Sequence, residues 1–334
     1  MKKILITGSS GFIGSHLVDE LIRQGKGKQI RLLIPPKDSL KNLKQHKRLD
    51  IVWGDIRDQD AVKKAMEGAV TIYHLAAKTV MEGTNYSEYA DVNVNGTQNL
   101  LNSCRNRNIQ KFVFFSSIAV YGLPAYVGEI INWNESRTKR PAESYGKSKL
   151  EAEKRVIKFH QQTGMPYAIV RPTTVYGPRD HQGILELYKA IQGHYFFQVG
   201  DGKNLMDYVF VRDIVKGVIL AQRSKLTSGD YILGCGQPVT ASIISHEIAE
   251  SIHQSVPKIS VPKDLAIAIS YPVWVVGRLV GMRPLIFPKR VKILTTNCFF
   301  DISKARGEIG YNPSTTFDKG ADITGKWLIR HKII

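Results

Sequence analysis

The chain is poor in cysteine and short of acidic residues, and no apolar run in it is long enough to span a bilayer. Its 334 residues include three cysteines, Cys104, Cys235 and Cys298. They lie far apart, without the close pairs of a metal centre, and are read as buried thiols in a reducing compartment. Asp and Glu number 29 against 47 Lys and Arg, a formal net charge of +18. Such an excess favours anionic partners. The cations are scattered, however, and no basic stripe is interleaved with aromatics. A solvated basic surface is therefore the first expectation and attraction to a membrane surface the second, with no nucleic-acid partner. No repeat or low-complexity segment occurs. The opening Met1-Lys2-Lys3 leads into four apolar or β-branched residues, too short a run for a secretion signal, so the expected location is cytoplasmic, with membrane association as the second reading.

Two motifs stand out against this background. Gly8-Ser-Ser-Gly11-Phe-Ile-Gly14 follows Ile4-Leu5-Ile6-Thr7, which reads as a buried strand, and precedes Ser15–Ile22, which has helical periodicity. Strand, glycine turn and helix make a pyrophosphate cradle, because the backbone can approach the phosphates and the helix N-terminus offers free N–H groups. Tyr145-Gly-Lys-Ser-Lys149 places a phenol and an ammonium one helical turn apart on one face, the acid–base pair of a hydride-transfer enzyme. Their joint occurrence, in this order, is the strong signal.

Strands and helices alternate through the first half. Expected strands are Ile30–Ile34, Leu49–Asp55, Val70–Ala77, Lys111–Ser117 and Tyr167–Arg171. Expected helices are Ser15–Arg23, Asp58–Glu67, Asp91–Asn106 and Tyr145–Gln162. This rhythm predicts an α/β fold, a Rossmann-type doubly wound parallel sheet with a smaller C-terminal substrate lobe. Residues 1–170 form the dinucleotide-binding domain, with some later segments returning to it, and residues 171–334 are mainly the lobe. Ligand then binds beyond the carboxyl ends of the strands, near Gly8, His74, Ser117 and Arg171.

With these residues in place, the chain resembles the extended short-chain dehydrogenases/reductases of the NAD-dependent epimerase/dehydratase superfamily. The likeness is carried by His74-Leu-Ala-Ala77, Asn93-Val-Asn-Gly-Thr97, Phe115-Ser-Ser-Ile-Ala-Val-Tyr-Gly122 and Arg171-Pro-Thr-Thr-Val-Tyr-Gly-Pro178. It implies a Ser–Tyr–Lys triad at Ser117, Tyr145 and Lys149, with Ser116 the competing serine. Tyr145 would exchange a proton with the substrate oxygen, helped by Lys149, since a free phenol with pKa about 10 is a poor base at neutral pH. The cofactor set is Gly8, Ser10, Gly11, Phe12, Ile13, Gly14, Lys37, Asp55, Ile56, Leu75, Ala76, Ala77, Tyr145, Lys149, Pro172 and Thr174. The cofactor is NADP or NAD. An acid after the second strand would select NAD, but Ile34-Pro35-Pro36-Lys37 has no carboxylate until Asp38, which points to NADP. Lys37 either meets its phosphate or is solvated on a loop. The resemblance also implies a homodimer through the helix after Asp91 and the Tyr145 helix.

Missing groups narrow the reaction. Sugar-nucleotide dehydratases place an Asp–Glu pair after the catalytic serine; here Ile118 and Ala119 follow Ser117. Nucleotide-sugar epimerases commonly have an Asn near Thr174 and an Arg where Met206 precedes Asp207-Tyr208. Arg179, Arg212 or Arg278 stands as a replacement clamp. The patterns Gly200–Val211, Phe287–Leu294 and Phe300–Tyr311 resemble the 3β-hydroxysteroid dehydrogenase-like branch. Leu265–Val280 is an apolar stretch of about 16 residues, short of the ~20 that span a bilayer. It is either a core helix of the lobe or an apolar wall at a membrane interface. The expected substrate is a small molecule, a secondary alcohol or ketone on a sterol- or acyl-like body. The alternative is a nucleotide-sugar 4-epimerase or ketoreductase. Among the remaining residues, Arg171 is expected in a structural ion pair, and His16 is read as packing.

Overall fold

The computed structural model describes residues 2–43, 49–79, 85–122, 131–181, 183–256, 259–279, 288, 291 and 295–334. The Phe287–Leu294 pattern lies largely outside them, as do Val280 and the Arg278 side chain. The first strand, β1 (Lys3–Thr7), is followed by helix α1 (Phe12–Arg23), β2 (Ile30–Ile34), β3 (Asp50–Trp53), α2 (Gln59–Ala65) and β4 (Ala69–His74). Next come α3 (Tyr86–Ala90), α4 (Gly96–Cys104), β5 (Lys111–Phe115), β6 (Ile131–Trp133), α5 (Ser144–Thr163) and β7 (Tyr167–Pro172). The second half contributes β8 (Thr174–Tyr176), α6 (Ile184–Gln192), β9 (Gln198–Val199), β10 (Leu205–Met206) and β11 (Tyr208–Phe210). It continues with α7 (Val211–Arg223), β12 (Asp230–Leu233), β13 (Val239–Thr240), α8 (Ala241–Ser251), β14 (Ser260–Val261), α9 (Lys263–Leu279) and β15 (Cys298–Phe300). Helix Phe317–Arg330 lies near the C-terminus.

Seven parallel strands form the central sheet in the order β12-β7-β5-β4-β1-β2-β3. Thr7 pairs with Leu33 on one side and His74 on the other, so the topological switch lies at the carboxyl end of β1. That is where ligands bind in such sheets. Both faces are covered, which is why the strands are continuous apolar runs. Alternate residues serve opposite faces: Ile6 packs with Leu17, Leu21, Ile214 and Val218, while Leu5 packs with Leu100, Phe112 and Val156. Each such side chain, once fully buried, contributes roughly 1.5–3 kcal/mol. The late segment α7–β12 returns to this sheet, with Tyr231 opposite Val170. The smaller sheet β13-β10-β15-β6 and a cluster around Tyr176, Tyr188, Ile248 and Phe317 lie outside the seven-stranded sheet.

Two expectations change. The single helix predicted over Asp91–Asn106 is in fact a π-helical turn at Asp91–Asn95, continuing from α3, followed by α4 ending at Cys104. The wider turn brings Asn93 inward, a distortion common at functional sites. The Leu265–Val280 stretch is not a core helix. Within α9 only Ala266, Ser270 and Gly277 are buried, while Leu265, Ile269, Val273, Val275, Val276 and Leu279 face outward, Leu279 at 81% exposure. No helix among the described residues is long and apolar enough to cross a membrane.

Candidate functional site

The turn between β1 and α1 is built by glycine for reasons of space. Gly8 has φ +70°, and a Cβ on Gly14 would lie 2.1 Å from the Gly8 carbonyl oxygen. Only hydrogen at both positions lets α1 start this close to the strand. Gly11 caps α1 with no side chain, leaving the first turn bare on the cleft side. Ser9 Oγ is buried there without a hydrogen-bond partner. A bare helix N-terminus and an unsatisfied hydroxyl suit an anionic group, so the cradle fits a dinucleotide pyrophosphate.

A cleft of about 510 Å³ opens over this turn. Gly8, Ser10, Gly11, Phe12, Ile13, Gly14, Asp55, Ile56, Leu75, Ala76 and Ala77 line it, all expected in the cofactor set. Asp55 is held by Arg57 Nη2 at 3.0 Å, and that guanidinium keeps its carboxyl below the usual carboxylate range. Lys37, Pro172 and Thr174 are not among the lining residues. Pro172 is buried at the end of β7, whereas Thr174 is exposed on β8. Lys37 is exposed, and its neighbour Asp38 lines the cleft instead. The cause is a turn in which the Asp38 N–H donates to the Pro35 carbonyl at 3.0 Å. It carries the Asp38 carboxylate back to the glycine loop, where Ser10 Oγ donates to Oδ2 at 2.7 Å.

Ser117, Tyr145 and Lys149 meet beyond the other end of the cleft, next to the lining residue Phe115. Ser117 caps the turn after β5, its Oγ accepting the Ala119 N–H at 3.1 Å. Its side chain also lies beside the Tyr145 phenol. Lys149, only 3% exposed, donates from Nζ to the Phe115 carbonyl at 2.7 Å. Burial pushes the Tyr145 phenol up to about 12, with the neighbouring Ser117 hydroxyl acting against it. Burial likewise pushes the Lys149 ammonium down to about 7, with Glu153 opposing. Both charged forms therefore depend on nearby opposite charge.

Behind Ser117, Tyr145 and Lys149 runs a buried polar chain that the sequence showed only as landmarks. His74 lies between Thr7 Oγ1 and Thr97 Oγ1, each at 2.8 Å. Thr97 Oγ1 donates to the Asn93 carbonyl at 2.6 Å, and Asn93 Nδ2 donates to Ser148 Oγ at 2.9 Å. The π-helical turn is thus tied to the α5 helix between Tyr145 and Lys149. Tyr89, edge-on to Tyr145 at 6.1 Å between ring centroids, is a further neighbour that the sequence did not single out. Nor did it single out Asp180, which with His181 lines the cleft.

Ser116, the rival serine, is turned away and donates to Glu153 Oε1 at 2.5 Å. Arg171 is the expected ion-pair residue. Fully buried, it grips both Glu153 oxygens at 2.8 and 2.9 Å and Asp230 Oδ2 at 2.7 Å. Met206 packs against the cluster containing Tyr176 and Phe317. Arg179 and Arg212, two of the replacement clamps, line a separate cavity with α1 and the C-terminal helix rather than the cleft.

The chain is 28% identical to an Arabidopsis thaliana 3β-hydroxysteroid-dehydrogenase/decarboxylase (isoform 1), covering 96% of this chain and 78% of that one. It is 27% identical to the N-acetyl-α-D-glucosaminyl-diphospho-ditrans,octacis-undecaprenol 4-epimerase of Escherichia coli O157:H7, covering 98% and 96%. Among solved structures, UDP-glucuronic acid 4-epimerase from Bacillus cereus in complex with NAD superposes with a TM-score of 0.79 at 23% identity, over 98% and 99% of the two chains. That likeness establishes the shared fold. Membership rests on the sequence itself: the model of the NAD dependent epimerase/dehydratase family matches residues 4–234, from β1 to just past β12. The chain belongs to the NAD-dependent epimerase/dehydratase family.

Proposed function

We propose that this protein is an NAD-dependent oxidoreductase that interconverts a secondary alcohol and a ketone on an amphiphilic substrate with a large hydrocarbon body. The observation that carries the reading is the placement of Ser117 beside the Tyr145 phenol, with Lys149 buried one helical turn away and bonded to the carbonyl of Phe115, which lines the glycine-turn cleft. Nicotinamide, when bound, supplies or takes the hydride. Tyr145 moves a proton between its phenol oxygen and the substrate oxygen, and the Ser117 hydroxyl holds that same oxygen. The Lys149 ammonium favours phenolate by charge, opposing the burial that raises the phenol.

Asp38 supports NAD over NADP, reversing the preference drawn from Lys37. A carboxylate lining the cleft just past β2 can accept bonds from the adenosine ribose hydroxyls and would repel a 2′-phosphate. Asp38→Ala is expected to weaken NAD⁺ binding while narrowing or inverting the preference over NADP⁺. Titration showing that wild type already binds NADP⁺ more tightly would overturn this choice.

Three features support the hydrocarbon-bearing substrate. Met206 and Thr174 stand where epimerases commonly carry polar clamps, and a guanidinium's bidentate bonds cannot be replaced by methionine. The outward face of α9 is apolar. The relatives named above act on a sterol in one case and on a sugar linked to undecaprenol in the other. The undecaprenol-linked relative also favours a second reading, in which the alcohol belongs to a sugar on a lipid diphosphate and the cofactor is regenerated within each turnover.

With NAD⁺ present, sterol and long-chain secondary alcohols should give net NADH, with kcat/KM rising about fourfold for each methylene buried. UDP-sugars should neither turn over nor compete. A flat series together with epimerisation of a UDP-sugar would replace this reading. The same α9 face supports peripheral contact with a membrane. Co-sedimentation with anionic vesicles, lost in Ile269→Glu/Val276→Glu, is expected, and no difference between the variants would refute it. The homodimer through α4 and α5 is also proposed, and a monomer mass by sedimentation equilibrium would refute it.

A further inference from the structure

We propose that the basic cavity between α1, α7 and the C-terminal helix Phe317–Arg330 is a second ligand site, one that binds a phosphate-bearing molecule outside the cofactor cleft. The cavity measures about 850 Å³, within the range of small-molecule sites. Its walls carry Arg23, Arg179, Arg212, Lys216, Lys326 and Arg330, against the two carboxylates of Asp19 and Glu20. Glu20 is taken up by Arg23, with both bonds at 2.7 Å, and Asp19 by one edge of Arg179 at 2.6 Å. Lys216 and Lys326 are paired with acids outside the walls, Asp213 and Asp322. Arg212 and Arg330 have no ion pair among the described residues, and both are exposed to the cavity's solvent side.

Arg179 is the second, independent observation. It is 7% exposed, and its Nη1 is buried without a hydrogen-bond partner. Its backbone is left-handed, at φ +70°, a conformation that costs a non-glycine residue free energy and is common at functional sites. An unpaired edge of a buried guanidinium is an unmet demand for an anionic acceptor. The local field agrees. His16, half-buried on the same wall with Nε2 against the Pro178 carbonyl at 2.9 Å, is pushed down to about 4 by desolvation, with Arg179 and Arg212 adding to it and the Pro178 carbonyl and Asp19 opposing.

Phosphate suits the site better than a lone carboxylate because guanidinium forks grip its oxygens in pairs. Trp327, stacked on His331 with centroids 4.5 Å apart, and Ile323 add an apolar wall for whatever the phosphate is attached to. The phosphate can therefore belong to a nucleotide or to the headgroup of an anionic lipid.

The test is titration of the full-length protein with inorganic pyrophosphate at fixed ionic strength, with and without saturating NAD⁺. Saturable binding that survives NAD⁺ is expected. Arg212→Gln/Arg330→Gln should weaken it about 10-fold or more, while Lys158→Gln, an exposed cation on α5, leaves it unchanged. Both arginines are exposed, so the double variant should fold, and an unchanged Tm checks that it does. ATP binding more tightly than pyrophosphate with the same variant sensitivity would assign the phosphate to a nucleotide. Variant-sensitive binding to phosphatidylglycerol vesicles but not to phosphatidylcholine vesicles would assign it to a headgroup. No saturable pyrophosphate binding, or binding that the double variant leaves intact, overturns the proposal.

Discussion

Lowering the pH below about 6.5 should destabilise this protein through His74. The imidazole is 1% exposed and lies between two threonine hydroxyls, which satisfy the neutral ring but bring no negative charge to balance a protonated one. Burial, reinforced by Lys149, pushes its pKa from 6.5 down to about 3. The folded protein therefore takes up no proton here between those values, while the unfolded chain does. Stability falls as pH drops through this window, by about 1.4 kcal/mol per pH unit. At pH 5 the loss from His74 alone is about 2 kcal/mol, with an upper limit of about 5 kcal/mol near pH 3. His74→Gln keeps a donor and an acceptor but cannot titrate. Urea unfolding of both proteins at about pH 7.5 and about pH 5 should show the wild type losing about 2 kcal/mol more than the variant. Other titrating groups, His16 included, cancel in that difference. Equal losses would show that His74 is solvated or charged in the folded state, and the polar chain from Thr7 to Ser148 would have to be redrawn.

Three further outcomes follow from the site. Gly14→Ala, which drives a methyl into the Gly8 carbonyl, should abolish measurable NAD⁺ binding by fluorescence titration, whereas Gly307→Ala, with open space around it, should not. Arg171→Met leaves Glu153 buried with only Lys139, 3.7 Å away, as counter-charge, and chemical denaturation should show a loss of about 3 kcal/mol; a change below about 1 kcal/mol would mean the Arg171 pair is not desolvated. Lys149→Met should lower turnover by about 10²-fold or more, and a smaller loss would remove the ammonium from the proton step.

The sheet and its glycine turn were readable because their signals are local. A β-branched run, a glycine spacing and a helix follow one another within about 20 residues, and burial on both faces forces the apolar pattern. The Tyr145–Lys149 pair was readable for the same reason, since one helical turn fixes its geometry. Asp38 was not. Its carboxylate enters the cleft only because the Pro35–Asp38 turn folds back on Ser10, a contact 28 residues away in sequence. The π-helical turn at Asp91–Asn95 was hidden because no local pattern separates an i→i+5 turn from an α-helix, and the Asn93 bond to Ser148 reaches 55 residues along the chain. The outward face of α9 was equally hidden: an apolar period says that one side is dry but not whether protein supplies the dryness.

The account rests on Tyr145 as the proton carrier, and Tyr145→Phe tests it most directly. With any alcohol that the wild type oxidises, the variant should lose about 10²-fold or more in kcat while its NAD⁺ affinity stays within about twofold. Near-normal turnover with intact cofactor binding would contradict the assignment.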